Sequence, residues 1–257
     1  MSAVLAHETI GGGDTALVFA HGFTQTRDAW RAVAELLTRR SPRLSCTLVD
    51  LPGHGASRGV SADVAGTARL LVAVGGRAIY VGYSLGARVV VEALTQPDSP
   101  VRAAVLVSGN GGIEDDTERA SRAADDDALA ARVESIGVEV FLREWLAQPL
   151  FSDLEHDTAQ FDSRATNSAR GLADSLRRCG QGRQHPRWEE LALVSAPILA
   201  VAGSRDAKYV ALARRIAAVA ACSRLAIIED CGHSAPLQRP DAVADEIAEF
   251  VAAVVNR

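Results

Sequence analysis

The chain has 257 residues, 48% of them hydrophobic, and 27 Lys and Arg against 32 Asp and Glu give a formal charge of −5. A chain of this length buries about 70–75% of its unfolded surface in a single α/β core, and an acidic balance without a basic block argues against a nucleic-acid partner. No apolar run is long enough to span a bilayer and no positively charged N-terminal segment leads into an apolar one, so no membrane association and a cytoplasmic location are expected.

In chain order, strand-like runs alternate with amphipathic stretches, which calls for a mostly parallel sheet with helices on both faces. Strands are predicted near 3–9 and 16–20, a helix near 27–39, a strand at 45–49 and a helix near 62–74. Strand 78–82, helix 85–95 and strand 102–107 follow. Between Gly111 and Trp188 the alternation stops. That segment has no strand pattern and carries helical runs from Glu118 to Ile136, from Val138 to Ala147, and in a stretch ending near Arg178. It reads as an inserted α-helical cap over the carboxyl edge of the sheet, where open α/β sheets bind ligands. Strand 197–203, helix 207–220, strand 224–229 and helix 240–254 complete the chain. The expected division is a core over 1–110, a cap over 111–188 and the rest of the core over 189–257.

The strand at 78–82 runs into Gly82-Tyr83-Ser84-Leu85-Gly86 and then a helix. Gly-x-Ser-x-Gly in that setting is a nucleophile elbow, a turn so tight that the flanking glycines have no room for side chains and the serine hydroxyl stands clear. A serine needs a base, and the base needs an orienting acid. In the chain order Ser, Asp, His, the base is His233, since only this histidine follows a late strand-like run. His156 lies in a polar stretch and His185 in a loop. Asp206 ends the strand 197–203 and is the expected acid, although it also reads as the N-cap of the next helix. Asp230, three residues before His233, is poorly placed to reach back. Ser84, Asp206 and His233 are the catalytic assignment. The backbone N–H groups of Phe23 and Leu85 are the expected oxyanion hole. His21 and His54 read as loop holders, and His7 as surface.

The insertion carries ten arginines, among them Arg119, Arg122 and Arg164, most of which belong on solvated helix surface. Arg88 differs: four residues after Ser84, it lies on the serine's side of the elbow helix. Ester hydrolysis does not need an arginine there, whereas a carboxylate-bearing substrate is paired by the guanidinium fork. The four cysteines, Cys46, Cys179, Cys222 and Cys231, have no metal-ligand spacing and read as small apolar filler, so no metal, cofactor or disulfide is expected.

Gly82 to Arg88, the string Trp145-Leu146-Ala147-Gln148-Pro149-Leu150-Phe151, Arg164-Ala165-Thr166-Asn167, and Gly203-Ser204-Arg205-Asp206-Ala207-Lys208-Tyr209 together resemble the MenH-type enzymes of menaquinone biosynthesis. Those are the 2-succinyl-6-hydroxy-2,4-cyclohexadiene-1-carboxylate (SHCHC) synthases. The resemblance runs from about Phe19 to Pro240. It implies the α/β-hydrolase fold and a lyase that removes pyruvate from a cyclohexene bearing several carboxylates, with the serine taking a ring proton and no acyl-enzyme. Carried over residue by residue, it implies carboxylate binding by Arg88, Arg164 and Arg122 or Arg119, Arg122 being favoured, and a pocket lined by Tyr83 and Trp145. The partner is then a small anionic polycarboxylate, and the protein a monomer or small homo-oligomer. The loop after His233 departs from the family's Gly-His-x-x-His-x-Glu, with Pro236 and Gln238 replacing the second histidine and the glutamate, and Gln25 stands where glycine is frequent. Three other readings stay open: a carboxylic-ester or thioester hydrolase, a carbon–carbon bond hydrolase using Asn110, and a ligand-binding module. An intact triad argues against the last.

Overall fold

The computed structural model describes residues 4–155 and 159–255. Seven strands form one sheet: β1 (His7–Gly11), β2 (Thr15–Ala20), β3 (Leu44–Val49), β4 (Ala78–Tyr83), β5 (Val101–Val107), β6 (Ile198–Gly203) and β7 (Ser223–Ile228). Their order is β1-β3-β2-β4-β5-β6-β7. β1 runs antiparallel to β3, and the remaining pairings are parallel. β4 and β6 are buried at every position, as their continuous apolar sequences require of strands covered on both faces.

The helices before the insertion are α1 (Arg31–Arg40), α2 (Val64–Gly75) and α3 (Leu85–Leu94). Between β5 and β6 lie α4 (Asp116–Ile136), α5 (Val138–Leu146), α6 (Phe161–Ala165), α7 (Ala169–Cys179) and α8 (Trp188–Leu193), and α9 (Ala207–Val219), α10 (Ala235–Gln238) and α11 (Pro240–Val255) follow. Side chains alternate across the sheet. Val18, Tyr80, Leu106 and Ala200 face α2, α3 and α9, while Leu17, Phe19, Ile79, Val81 and Val105 face α1 and α11. None of these helices among the described residues is long and apolar enough to cross a membrane.

Beyond shifts of one or two residues at element ends, the structure differs from the sequence reading at the first strand, at the first helix and in its short helices. The first strand spans His7–Gly11 instead of 3–9: among the described residues its pairing with β3 ends at His7 opposite Val49, and further back a lone bond from the Asp50 N–H to the Ala6 carbonyl, at 2.9 Å, is all that continues it; Ala3 lies outside the described residues. Leu5, whose apolar character drew the prediction forward, is buried without being in a strand. The helix predicted at 27–39 begins as a 3-10 turn, Arg27–Trp30, before α1. The short helices α6, α8 and α10, of five, six and four residues, are not predicted because fewer than two turns give too little periodicity to read.

Between β5 and β6 the described residues contain helices and turns but no strand. Asp115 caps α4 by accepting the Glu118 N–H at 2.8 Å. Gly137, at φ 78°, lets the chain leave α4 and enter α5. Ala130, Val133, Phe141, Leu172, Ala173 and Leu176 form a small core of their own, against which Phe23 and Trp145 pack. Phe23 belongs to the loop after β2, so the insertion rests on the carboxyl edge of the sheet. A fork of two bonds from Arg187 to the buried Glu92, at 2.9 and 2.8 Å, ties the start of α8 to α3.

Candidate active site

β4 turns into α3 through Ser84, whose φ of 52° and ψ of −107° lie in a region that side chains rarely occupy. Such a conformation costs about 1–3 kcal/mol and persists only where its surroundings enforce it. A Cβ on Gly82 would lie 2.4 Å from the Gly86 carbonyl oxygen, and one on Gly86 would lie 2.1 Å from that of Ala20. Both glycines are therefore obligatory. The Ser84 N–H is held by the Val107 carbonyl at 2.9 Å, and the hydroxyl is left at the carboxyl edge of the sheet.

His233, in the loop after β7, brings its Nε2 to 3.2 Å from Ser84 Oγ and its Nδ1 to 2.8 Å from Asp206 Oδ2. A carboxylate only accepts, so Nδ1 carries the proton and Nε2 is free to receive that of the serine. The ring is wedged among Tyr209, Tyr83 and Phe151, with centroids 4.4, 5.4 and 6.2 Å away. The other oxygen of Asp206 accepts the Tyr209 N–H at 3.2 Å and so caps α9. Helix cap and orienting acid are thus two functions of one side chain, one per oxygen. Asp230 turns outward and meets Arg205 at 3.3 Å. His185 is exposed, and His156 lies outside the described residues.

The loop after β2 is braced by two fully buried imidazoles. His21 Nε2 accepts the Leu51 N–H at 3.1 Å, and His54 Nε2 accepts the Thr24 N–H at 3.3 Å. Their Nδ1 atoms bond the carbonyls of Gly22 and Pro52, at 2.8 and 2.9 Å. Desolvation drives both pKa values down, to about 4 for His21 and about 3 for His54, so both rings are neutral braces. Phe23 and Leu85 line the cavity at Ser84. Leu85 opens α3, where the leading N–H groups have no intrahelical acceptor.

The cavity encloses about 150 Å³. Tyr83, Arg88, Arg122, Trp145 and Arg164 all contribute to its wall; Arg119 does not. Arg119 instead bonds the Ile113 and Glu114 carbonyls and Asp116, closing the start of its own helix. Arg122 is partly neutralised by the fully buried Asp126, at 2.9 Å, and also reaches Gln181 at 2.7 Å. Arg88 and Arg164 differ from it. Arg88 donates to the Cys179 carbonyl at 2.8 Å and to Gln184 at 3.4 Å. Arg164, 1% exposed, donates to the Ala159 carbonyl at 2.7 Å, the Phe23 carbonyl at 3.5 Å and the Thr24 hydroxyl. Neither has an ion-pair partner among the described residues. Burial lowers both pKa values, that of Arg164 to about 10. The indole N–H of Trp145 is also buried there without an acceptor among the described residues, and desolvation raises the Tyr83 phenol above its ordinary value.

Several lining residues were given no role from the sequence: Gln25, Asp126, Phe151, Gln181, Lys208 and Tyr209. Phe151, Lys208 and Tyr209 lay within the strings that carried the family resemblance, Gln25 stood out only as a departure from a frequent glycine, and Gln181 had no periodic or motif signal. Gln238, the departure after His233, accepts the Gly232 N–H at 2.9 Å and donates to the Asp153 carbonyl of the insertion, so it braces the histidine loop from outside.

Comparison with known proteins bears on the family and the fold. Residues 17–246 match the Alpha/beta hydrolase family. A 2-succinyl-6-hydroxy-2,4-cyclohexadiene-1-carboxylate synthase from Klebsiella pneumoniae is 33% identical over 92% of this chain and 93% of its own. One from Serratia proteamaculans is 30% identical over 91% and 92%. The solved structure of MenH from S. aureus superposes with a TM-score of 0.90 at 25% identity, covering 97% of this chain and 98% of that one. The chain therefore belongs to the α/β-hydrolase family and, within it, to the enzyme family of the SHCHC synthases.

Proposed function

We propose that the protein is a lyase that eliminates pyruvate from 2-succinyl-5-enolpyruvyl-6-hydroxy-3-cyclohexene-1-carboxylate to give SHCHC, with residues 111–188 as its cap. Ser84, its proton passed to His233, takes the ring proton beside the succinyl carbonyl. Asp206 stabilises the imidazolium. The electron pair moves onto that carbonyl as an enolate, held by the Phe23 and Leu85 amides. As it returns, the ring double bond shifts and the enolpyruvyl oxygen departs, to be protonated to pyruvate. Arg88, Arg164 and Arg122 hold the carboxylates, and Tyr83 and Trp145 form the wall.

The observation that carries this reading is the pair of buried guanidinium groups, Arg88 and Arg164, beside Ser84 with no ion-pair partner for either among the described residues; the nearby Asp126 is paired to Arg122. A buried unpaired charge is costly, and converging cations favour a cleft that an anion fills. The test supplies the enolpyruvyl substrate, generated enzymatically, and follows pyruvate release through lactate dehydrogenase alongside p-nitrophenyl acetate hydrolysis. Fast pyruvate release with negligible ester hydrolysis is expected. Ester turnover without pyruvate release would replace this reading with an esterase.

A further inference from the structure

Gln25 is 1% exposed and lines the same cavity as Ser84, Phe23 and Leu85. Its N–H donates to the Gly22 carbonyl at 3.2 Å, and its Oε1 accepts the Gly22 N–H at 2.9 Å. The two bonds close a turn around Phe23 and Thr24, and Thr24 sits at φ 67° within it. They also fix the orientation of the side-chain amide. The Gly22 N–H can only donate, so the oxygen must face it and the amino group must face the other way. That amino group, Nε2, is buried and has no acceptor among the described residues. A buried donor left in this state calls for an acceptor from whatever occupies the cavity.

We propose that Gln25 is a substrate-contacting residue, its Nε2 being a third donor to the oxygen that becomes negative during the reaction, beside the amides of Phe23 and Leu85. Three features favour that oxygen over a resting carboxylate. Gln25 lies in the same short turn as Phe23. It is neutral, as suits a charge that exists only transiently. Its amide is locked through Gly22, so it needs no reorganisation when charge appears. The proposal rests on Ser84 as the proton-accepting or attacking group.

Gln25→Glu is the decisive variant, because one carboxylate oxygen still accepts from Gly22 while the donor is lost. Its thermal midpoint should stay near wild type, its KM should change little, and its kcat should fall by about a hundredfold or more. Acidifying from pH 8 toward pH 6 should narrow its gap to wild type, as protonation of the new carboxyl restores an O–H donor. Gln25→Ala should lose the donor at every pH alike, with no such recovery. A Gln25→Glu enzyme within threefold of wild-type kcat would overturn the proposal, as would a change confined to KM. The comparison is run on the pyruvate-releasing substrate and on p-nitrophenyl acetate. Failure of the wild type on the first refutes the lyase reading, while the ester comparison still decides the role of Gln25.

Discussion

Replacing Arg88 by Met should uncouple stability from activity. In the folded protein Arg88 is nine-tenths buried, bonded to the Cys179 carbonyl at 2.8 Å and more weakly to Gln184 at 3.4 Å, with no ion-pair partner among the described residues. Hydrogen bonds from a charged donor are worth about 1.5–3 kcal/mol each, whereas desolvating the ion costs several kcal/mol. These nearly cancel, and a Met side chain fills most of the volume. The stability of Arg88→Met should then stay within about 2 kcal/mol of wild type, which is roughly 4–8 °C in Tm for a chain of this size. Loss of one charge-assisted pair to the substrate costs about 2–5 kcal/mol, or thirtyfold to several thousandfold in kcat/KM. Pyruvate release should collapse by that factor while hydrolysis of any small neutral ester is spared. Arg88→Lys should recover only part, since an ammonium cannot reproduce the fork. Steady-state pyruvate assays and calorimetric melting decide it. Equal losses on both substrates, with a large drop in Tm, would show that Arg88 is a structural strut and would remove the main support for an anionic substrate.

Two further outcomes follow from the site. Asp206→Asn should keep the α9 cap, because an amide oxygen still accepts the Tyr209 N–H, yet lower kcat by about 10⁴ through the wrong imidazole tautomer. Asp206→Ala should lose the rate and, in addition, about 1 kcal/mol of stability in denaturant titration; a stable, active Asp206→Asn would refute the assignment. His21 and His54 titrate in the unfolded chain near 6.5 but only near 4 and 3 when folded, so below about pH 6.5 the unfolded state binds more protons. Stability should be fully present above that pH and fall as it drops toward 4, by up to about 1.4 kcal/mol per pH unit for each ring. His54→Asn should flatten the profile of denaturation midpoints, and an unchanged slope would contradict neutral burial.

Much of the core geometry was legible in the sequence because it is local or periodic. The elbow announces itself through two glycines that later prove to have no room for a Cβ. The serine-plus-four position of Arg88 follows from the helical repeat. The late position of His233 and the strand-end position of Asp206 narrow the base and acid to one pair. Arg119 and Arg122 were harder to separate, since three residues apart on α4 they share much of a face. What divides them is Asp126, one turn beyond Arg122, and Gln181, some sixty residues later, neither of which a one-dimensional pattern connects to it. Gln25 was noticed only as an oddity of the loop. Its meaning depends on which way an amide points, and that is decided by the Gly22 N–H. The first strand was misplaced because an edge strand is defined by the length of its neighbour rather than by its own hydrophobicity.

The brace between Gln238 and Asp153 makes the insertion and the histidine loop a matched pair. Arg205 also approaches the Asp153 carboxylate at 3.8 Å, and a Cβ on Gly232 would lie 2.9 Å from one of its oxygens. In a chimera that grafts a relative's insertion onto this core, the foreign segment would have to present a backbone carbonyl to Gln238 and, to Arg205 and the side-chain-free Gly232, the carboxylate of this aspartate. Exchange of specificity between family members by swapping whole insertions would then require residues 153, 205 and 232 to travel together and the main chain at 153 to stay within reach of Gln238. A graft that carried the substrate-facing arginines alone would keep the recognition groups while loosening the histidine that drives the chemistry.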